Sequence, residues 1–144
     1  MRHRPVREII ENRRTLMASV SVSVSEAARL MKKHKAGAIG VGEHGHLVGV
    51  FTERDMVFRV VAEGRDPSDT RVGDVMTRNP QTIDPDKPFE HALHIMYEGG
   101  FRHVPVVEDD GRLIGMVSAR DALGPELREF ADELDTREHI GEIL

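Results

Sequence analysis

Two short segments of the 144-residue chain carry the same chemical groups in the same order: Thr52, Arg54 and Asp55 in TERD, and Ser118, Arg120 and Asp121 in SARD. A hydroxyl three residues ahead of a carboxylate, where an apolar run ends, is the pattern of a helix capping box that satisfies free backbone amides. The same groups can also hold a ligand. A carboxylate accepts two hydrogen bonds from a ribose diol, while the hydroxyl, the arginine and the amides of a helix start meet sugar or phosphate oxygens. One copy alone reads as a cap; two copies in register add the ligand-binding reading. Neither aspartate has a paired nucleophile or a second acid at catalytic spacing, so hydrolysis or group transfer is the weakest reading and the chain is expected to be non-catalytic.

The elements that must position these residues are themselves duplicated. GVFTERDMV (Gly49–Val57) matches GMVSARDAL (Gly115–Leu123) at a shift of 66, which also aligns Val6, Glu8, Ile9 and Ile10 with Val72, Asp74, Val75 and Met76. Between these anchors the shift is 65, setting Ala27 on Ala92 and Met31 on Met96 and leaving Met17 to Ser21 without a clear counterpart. In the first half, SEAARLMKKHK predicts a helix with Ala27, Ala28, Leu30 and Met31 on one face, Ser25 as N-cap and Gly37 just past the end. AIGV and LVGVF then predict a hairpin around EHGH, followed by a helix from about Glu53 to Ala62. The second half repeats this with PFEHALHIMYEGG, HVPVV, RLIGMV and a helix opening at Ser118.

The expected fold is therefore α/β (α+β): two βαββα units that pack as a pair, because about 60 residues bury too little surface alone. The boundaries read 1–64, a linker 65–71, 72–123, and a tail 124–144. In the tail, Pro125 opens an acidic amphipathic helix with Leu127, Phe130, Ala131 and Leu134 at helical spacing. That stripe covers the chain's own core or meets its copy in a dimer.

Composition limits the function classes. The formal net charge is −5, with 39% hydrophobic and 31% charged residues and no cysteine. An acidic balance argues against general nucleic-acid or membrane binding, and the missing thiols exclude disulfides and thiolate metal sites. Charges interrupt the N-terminal segment before a signal-peptide core could form, so a cytoplasmic protein is expected. Arg2, Arg4, Arg7, Arg13 and Arg14 form a basic stretch that could reach ligand phosphates but reads first as a solvated face, and Met31, Met96 and Met116 read as core. His44 with His46, and His91 with His94, lack a third ligand at a telling spacing, so no metal site is expected.

GVFTERD and GMVSARD resemble the ribose-binding signature that closes each repeat of the CBS-domain family, and VGDVMTRNPQTIDPD and GGFRHVPVVEDDGRLIG are similar to its opening and central segments. The resemblance runs from Val6 to Leu123 and suggests a stand-alone Bateman module of bacterial signalling type. It implies a pseudo-twofold pair of repeats whose cleft holds AMP, ADP, ATP or another adenosyl ligand such as NAD(H) or S-adenosylmethionine, with no catalytic cofactor. Disc-like homodimers and action through a separate downstream protein are implied as well.

Carried over, Asp121 would hold the ribose, Ser118 and Arg120 sugar or phosphate, and Arg102 and His103 phosphate, with the base against Gly37, Ala38 and Ile39. Thr52, Arg54 and Asp55 would form the other site with Gln81 and Thr82. The two sites are unequal, since Ala36, Gly37 and Ala38 stand where the second repeat has Phe101, Arg102 and His103. Alternatives are a ligand-free dimerisation scaffold, in which the hydroxyl and aspartate pairs are caps only, and strand-end surface roles for Arg102 and His103.

Overall fold

The computed structural model describes the backbone of residues 3–143 and side chains through residue 138. Helix α1 (Val6–Ile10) and strand β1 (Met17–Ala18) precede helix α2 (Val24–His34), whose buried Val24, Ala27 and Met31 recur at helical spacing. The cap of α2 is Ser23, whose hydroxyl accepts the Glu26 amide, rather than the expected Ser25, which sits inside the first turn. Starting two residues earlier carries Val24 into the core. Strands β2 (Ala38–Glu43) and β3 (His46–Thr52) form the expected hairpin. His44 (φ 54) and Gly45 (φ 81) both take the left-handed conformations that a two-residue turn requires.

The chain then enters α3 (Glu53–Asp55), which continues as a π-helical segment over Met56–Val61. Helix α4 (Val72–Val75), strand β4 (Thr77–Arg78), helix α5 (Phe89–Gly99), strand β5 (His103–Val107) and strand β6 (Leu113–Ser118) follow. The helix expected to open at Ser118 is only a 3-10 turn, Ala119–Asp121, before Ala122 becomes extended and α6 (Gly124–Ile143) begins. Pro125 lacks the amide that would continue a helix onto the Asp121 carbonyl. Arg4 donates to that carbonyl instead, at 2.6 Å.

Pairing aligns the segment that the sequence left open. Ala18 lies parallel to Val41 in the first repeat, and Ile83 lies parallel to Val106 in the second. The shift of 65 therefore already holds at Ala18 and Ile83, which sets Met17 on Thr82.

The packing units are not the sequence repeats, because each repeat lends its opening helix to the other. Val6, Ile9 and Ile10 of α1 lie in one core with Phe89, Leu93, Met96, Val104 and Val117. Val72, Val75 and Met76 lie in the other with Val24, Met31, Ile39 and Phe51. Strand β4 correspondingly completes a four-stranded sheet in the order β1-β2-β3-β4, while β5 and β6 pair as a separate two-stranded sheet. Two matched glycines make the exchange possible. A Cβ on Gly49 would stand 2.6 Å from the Met76 sulfur, and one on Gly115 would stand 2.8 Å from the Ile10 Cβ.

Helix α6 covers the second core through Phe130, whose ring meets His94 edge-on with centroids 4.9 Å apart. Leu127 and Ala131 of the expected stripe remain exposed. Arg4 ties the start of α6 to the N-terminal segment through Glu126 at 2.7 Å. No helix among the described residues is long and apolar enough to cross a membrane.

Candidate functional site

The exchange of opening helices brings the two repeats face to face, and the TERD and SARD turns meet different surroundings there. At TERD, the Thr52 hydroxyl accepts the Asp55 amide at 3.1 Å and the Asp55 carboxylate accepts the Thr52 amide at 3.0 Å, a complete capping box. Asp55 is only 6% exposed and also accepts the Thr77 hydroxyl at 3.0 Å, with the Arg59 guanidinium 3.6 Å away. Its carboxylate is committed to holding β4 against the start of α3. Arg54 stacks over the Phe58 ring at 5.0 Å, and Gln81 and Thr82 are exposed.

At SARD, the Asp121 carboxylate accepts the Ser118 amide at 2.8 Å. Its other oxygen accepts from the Arg13 guanidinium at 2.6 Å. Asp121 faces a cleft of about 340 Å³ lined by Gly37, Ala38, His103, Ser118 and Arg120, together with Arg13, Arg14, Leu16, His34 and Lys35. The volume lies within the range of about 300–1,000 Å³ usual for small-molecule sites.

Thus Gly37 and Ala38 of one repeat meet His103, Ser118, Arg120 and Asp121 of the other. Ile39 is fully buried in the first core and does not line the cleft. Arg102 is exposed and lies outside the lining; its carbonyl accepts the Ala119 amide, as the Gly37 carbonyl accepts the Glu53 amide. The His103 ring comes within 3.1 Å of where a Cβ on Gly37 would lie, so a side chain at that position would press on the imidazole. Burial is the largest influence on His103 and holds it below the ordinary value of 6.5. Arg102 and Arg120 act in the same direction, opposed by Glu53 and Asp121.

Arg13 and Arg14 are exposed, as expected of a solvated face, and also line the cleft. Because α1 packs in the second core, the segment after it passes along β6 and delivers both arginines to the cleft. The signal was present only as the shift that aligns Ile10 with Met76; that neighbouring side chains cross between repeats is a property of packing. Arg4 and Arg7 are ion-paired, with Glu126 and with Asp86 respectively, and Arg2 lies outside the described residues. His94 pairs with Glu133 at 2.9 Å. On the surface, His3, Glu90 and Glu129 bring ligand atoms within 4.8 Å of one another, which the His3–Glu90 pair at 3.2 Å accounts for.

Comparison with known proteins fits this geometry. The family model described as CBS domain matches residues 6–62 and again 72–124. The CBS domain-containing protein CBSX3, mitochondrial, of Arabidopsis thaliana is 35% identical over 124 residues, which cover 83% of this chain and 60% of that relative's length. The CBS domain protein PAE2072 from Pyrobaculum aerophilum, complexed with AMP, has a TM-score of 0.79 at 25% identity, over 90% of this chain and 99% of that one. The CBS domain pair of protein MJ0100, in complex with 5′-methylthioadenosine and S-adenosyl-L-methionine, has a TM-score of 0.74 at 30% identity, over 82% and 95%.

Proposed function

The chain belongs to the CBS-domain family, with two repeats, and from that premise we propose that it is a non-catalytic regulatory module that binds an adenine nucleotide in the Asp121 cleft. AMP, ADP or ATP is the expected ligand, with NAD(H) and S-adenosylmethionine as the other adenosyl compounds of the class. The observation that carries the reading is the meeting of Gly37 and Ala38 from one repeat with Ser118, Arg120 and Asp121 from the other in one cleft. The Asp121 carboxylate accepts the ribose hydroxyls, Ser118 and Arg120 reach sugar or phosphate oxygens, and the adenine lies against the side-chain-free backbone of Gly37.

Complexes of relatives with AMP and with S-adenosyl-L-methionine support the ligand class. The buried, fully partnered Asp55 supports a structural role for the first turn. Val57, Phe58 and Val61 are 52%, 57% and 65% exposed on one helical face. That face supports association of two copies through the first repeat. Signalling then passes to a separate protein or through the assembly itself, in the cytoplasm where these nucleotides are abundant.

A thermal-shift series with AMP, ADP, ATP, NADH and S-adenosylmethionine tests the reading. A ligand at about 100 times its dissociation constant stabilises the fold by about 2.7 kcal/mol, a clear rise in the melting midpoint. If no compound moves the midpoint, the nucleotide reading falls and the dimerisation scaffold replaces it.

A further inference from the structure

Resting on the reading of this cleft as a nucleotide site, we propose that Arg14 and Lys35 make it selective for nucleoside di- and triphosphates over monophosphates, with Arg13 joining them once the ribose displaces it from Asp121. The cleft wall holds four permanent cations, Arg13, Arg14, Lys35 and Arg120, against the carboxylate of Asp121. The lining itself carries a surplus of three positive charges, opposed by the Glu53 carboxylate beside Gly37 and His103, in a chain whose formal net charge is −5. A phosphate monoester carries about 1.5 to 2 negative charges at neutral pH, which leaves part of the surplus unmatched. Each further phosphate brings charge and acceptor oxygens to meet it.

Lys35 gives independent support. It closes α2 in the left-handed conformation, φ 52 and ψ 41, whereas its counterpart in the second repeat, Gly100, closes α5 at φ 72. A lysine is disfavoured there relative to glycine. Its side chain is exposed and has no partner among the described residues, so what it adds is charge at the cleft wall. A local rule broken without a packing return points to function.

Arg14 and Arg120 likewise lack a partner among the described residues. Arg13 is occupied by Asp121, the group that the ribose would claim, so ribose binding frees a guanidinium beside the phosphates. The other side of the pair has a weaker wall: Gly99 and Gly100 stand where the cleft has His34 and Lys35, Arg54 stacks on Phe58, and Arg78, which the shift of 65 sets on Arg13, donates to the Gly73 carbonyl.

Calorimetric titration of the full chain with AMP and with ATP, in EDTA and at low salt, reads the selectivity directly. ATP is expected to bind at least about tenfold more tightly than AMP, because several charge-assisted contacts are added. Arg14→Ala and Lys35→Gly should each weaken ATP about fivefold to tenfold and AMP less than about twofold. Lys35→Gly eases the backbone, and matching circular-dichroism melts check that both variants fold. Equal affinity for AMP and ATP, or equal losses for both ligands in the variants, overturns the selectivity and leaves the nucleotide site standing. If neither ligand binds, the nucleotide reading itself fails and the selectivity falls with it.

Discussion

Removing Arg13 should tighten the binding of adenosine, a ligand with ribose and base but no phosphate. Arg13 holds Asp121 at 2.6 Å, with its own side chain 47% exposed and that of Asp121 10% exposed. A ribose claiming the carboxylate must first break this contact. Half-exposed ion pairs are worth about 1 kcal/mol or less after screening, and 1 kcal/mol is about a fivefold change in affinity. Arg13→Ala should therefore raise the affinity for adenosine by up to about fivefold. ATP should gain nothing, because the lost latch is offset by the lost phosphate contact. The assay is calorimetry on wild type, Arg13→Ala, Asp121→Ala and the double variant, which isolates the coupling between the two positions. Adenosine affinity that is unchanged or lower in Arg13→Ala, or a gain that survives without Asp121, refutes the latch.

Two further outcomes concern the frame around the cleft. Asp55→Ala leaves the Thr52 amide and the Thr77 hydroxyl without their acceptor in a buried place, at a cost of about 2–3 kcal/mol. The melting midpoint should fall by about 5–10 °C, and an unchanged midpoint would show that the box is dispensable. The second outcome is acid release of α6. Arg4 hydrogen-bonds Glu126 and holds its carboxyl below the ordinary value of 4.5. This pair stabilises the fold above pH 4.5 and is lost as pH falls through the lowered value. Fluorescence of Tyr97, the chain's single tyrosine, lying 5.9 Å from Phe130, should report the loosening. Arg4→Ala should move that transition to higher pH, and a coincident transition in both proteins would count against the tie.

Much of the local structure was legible because it depends on neighbours in sequence. The hairpins follow from apolar runs flanking glycine turns, and the Thr52–Asp55 box follows from its spacing. What escaped depends on contacts far along the chain. The exchange of α1 and α4 between cores leaves no local signal, so the sequence offered phosphate contact by Arg13 and Arg14 without placing them at the Asp121 cleft. Two serines compete to cap α2, and burial of Val24 decides for Ser23. The helix after Ser118 stops at one turn because Pro125 cannot donate to Asp121 and Arg4 can.

The two aspartates share a motif and differ in employment: Asp55 is spent on internal partners, and Asp121 opens on the cleft. The most direct measurement is the stoichiometry of adenine-nucleotide binding by calorimetry on wild type, Asp121→Ala and Asp55→Ala, the last held below its melting range. One nucleotide per chain, weakened at least about tenfold by Asp121→Ala and retained in Asp55→Ala, is the predicted result. Two nucleotides per chain, or binding lost with Asp55 and kept without Asp121, would contradict the assignment.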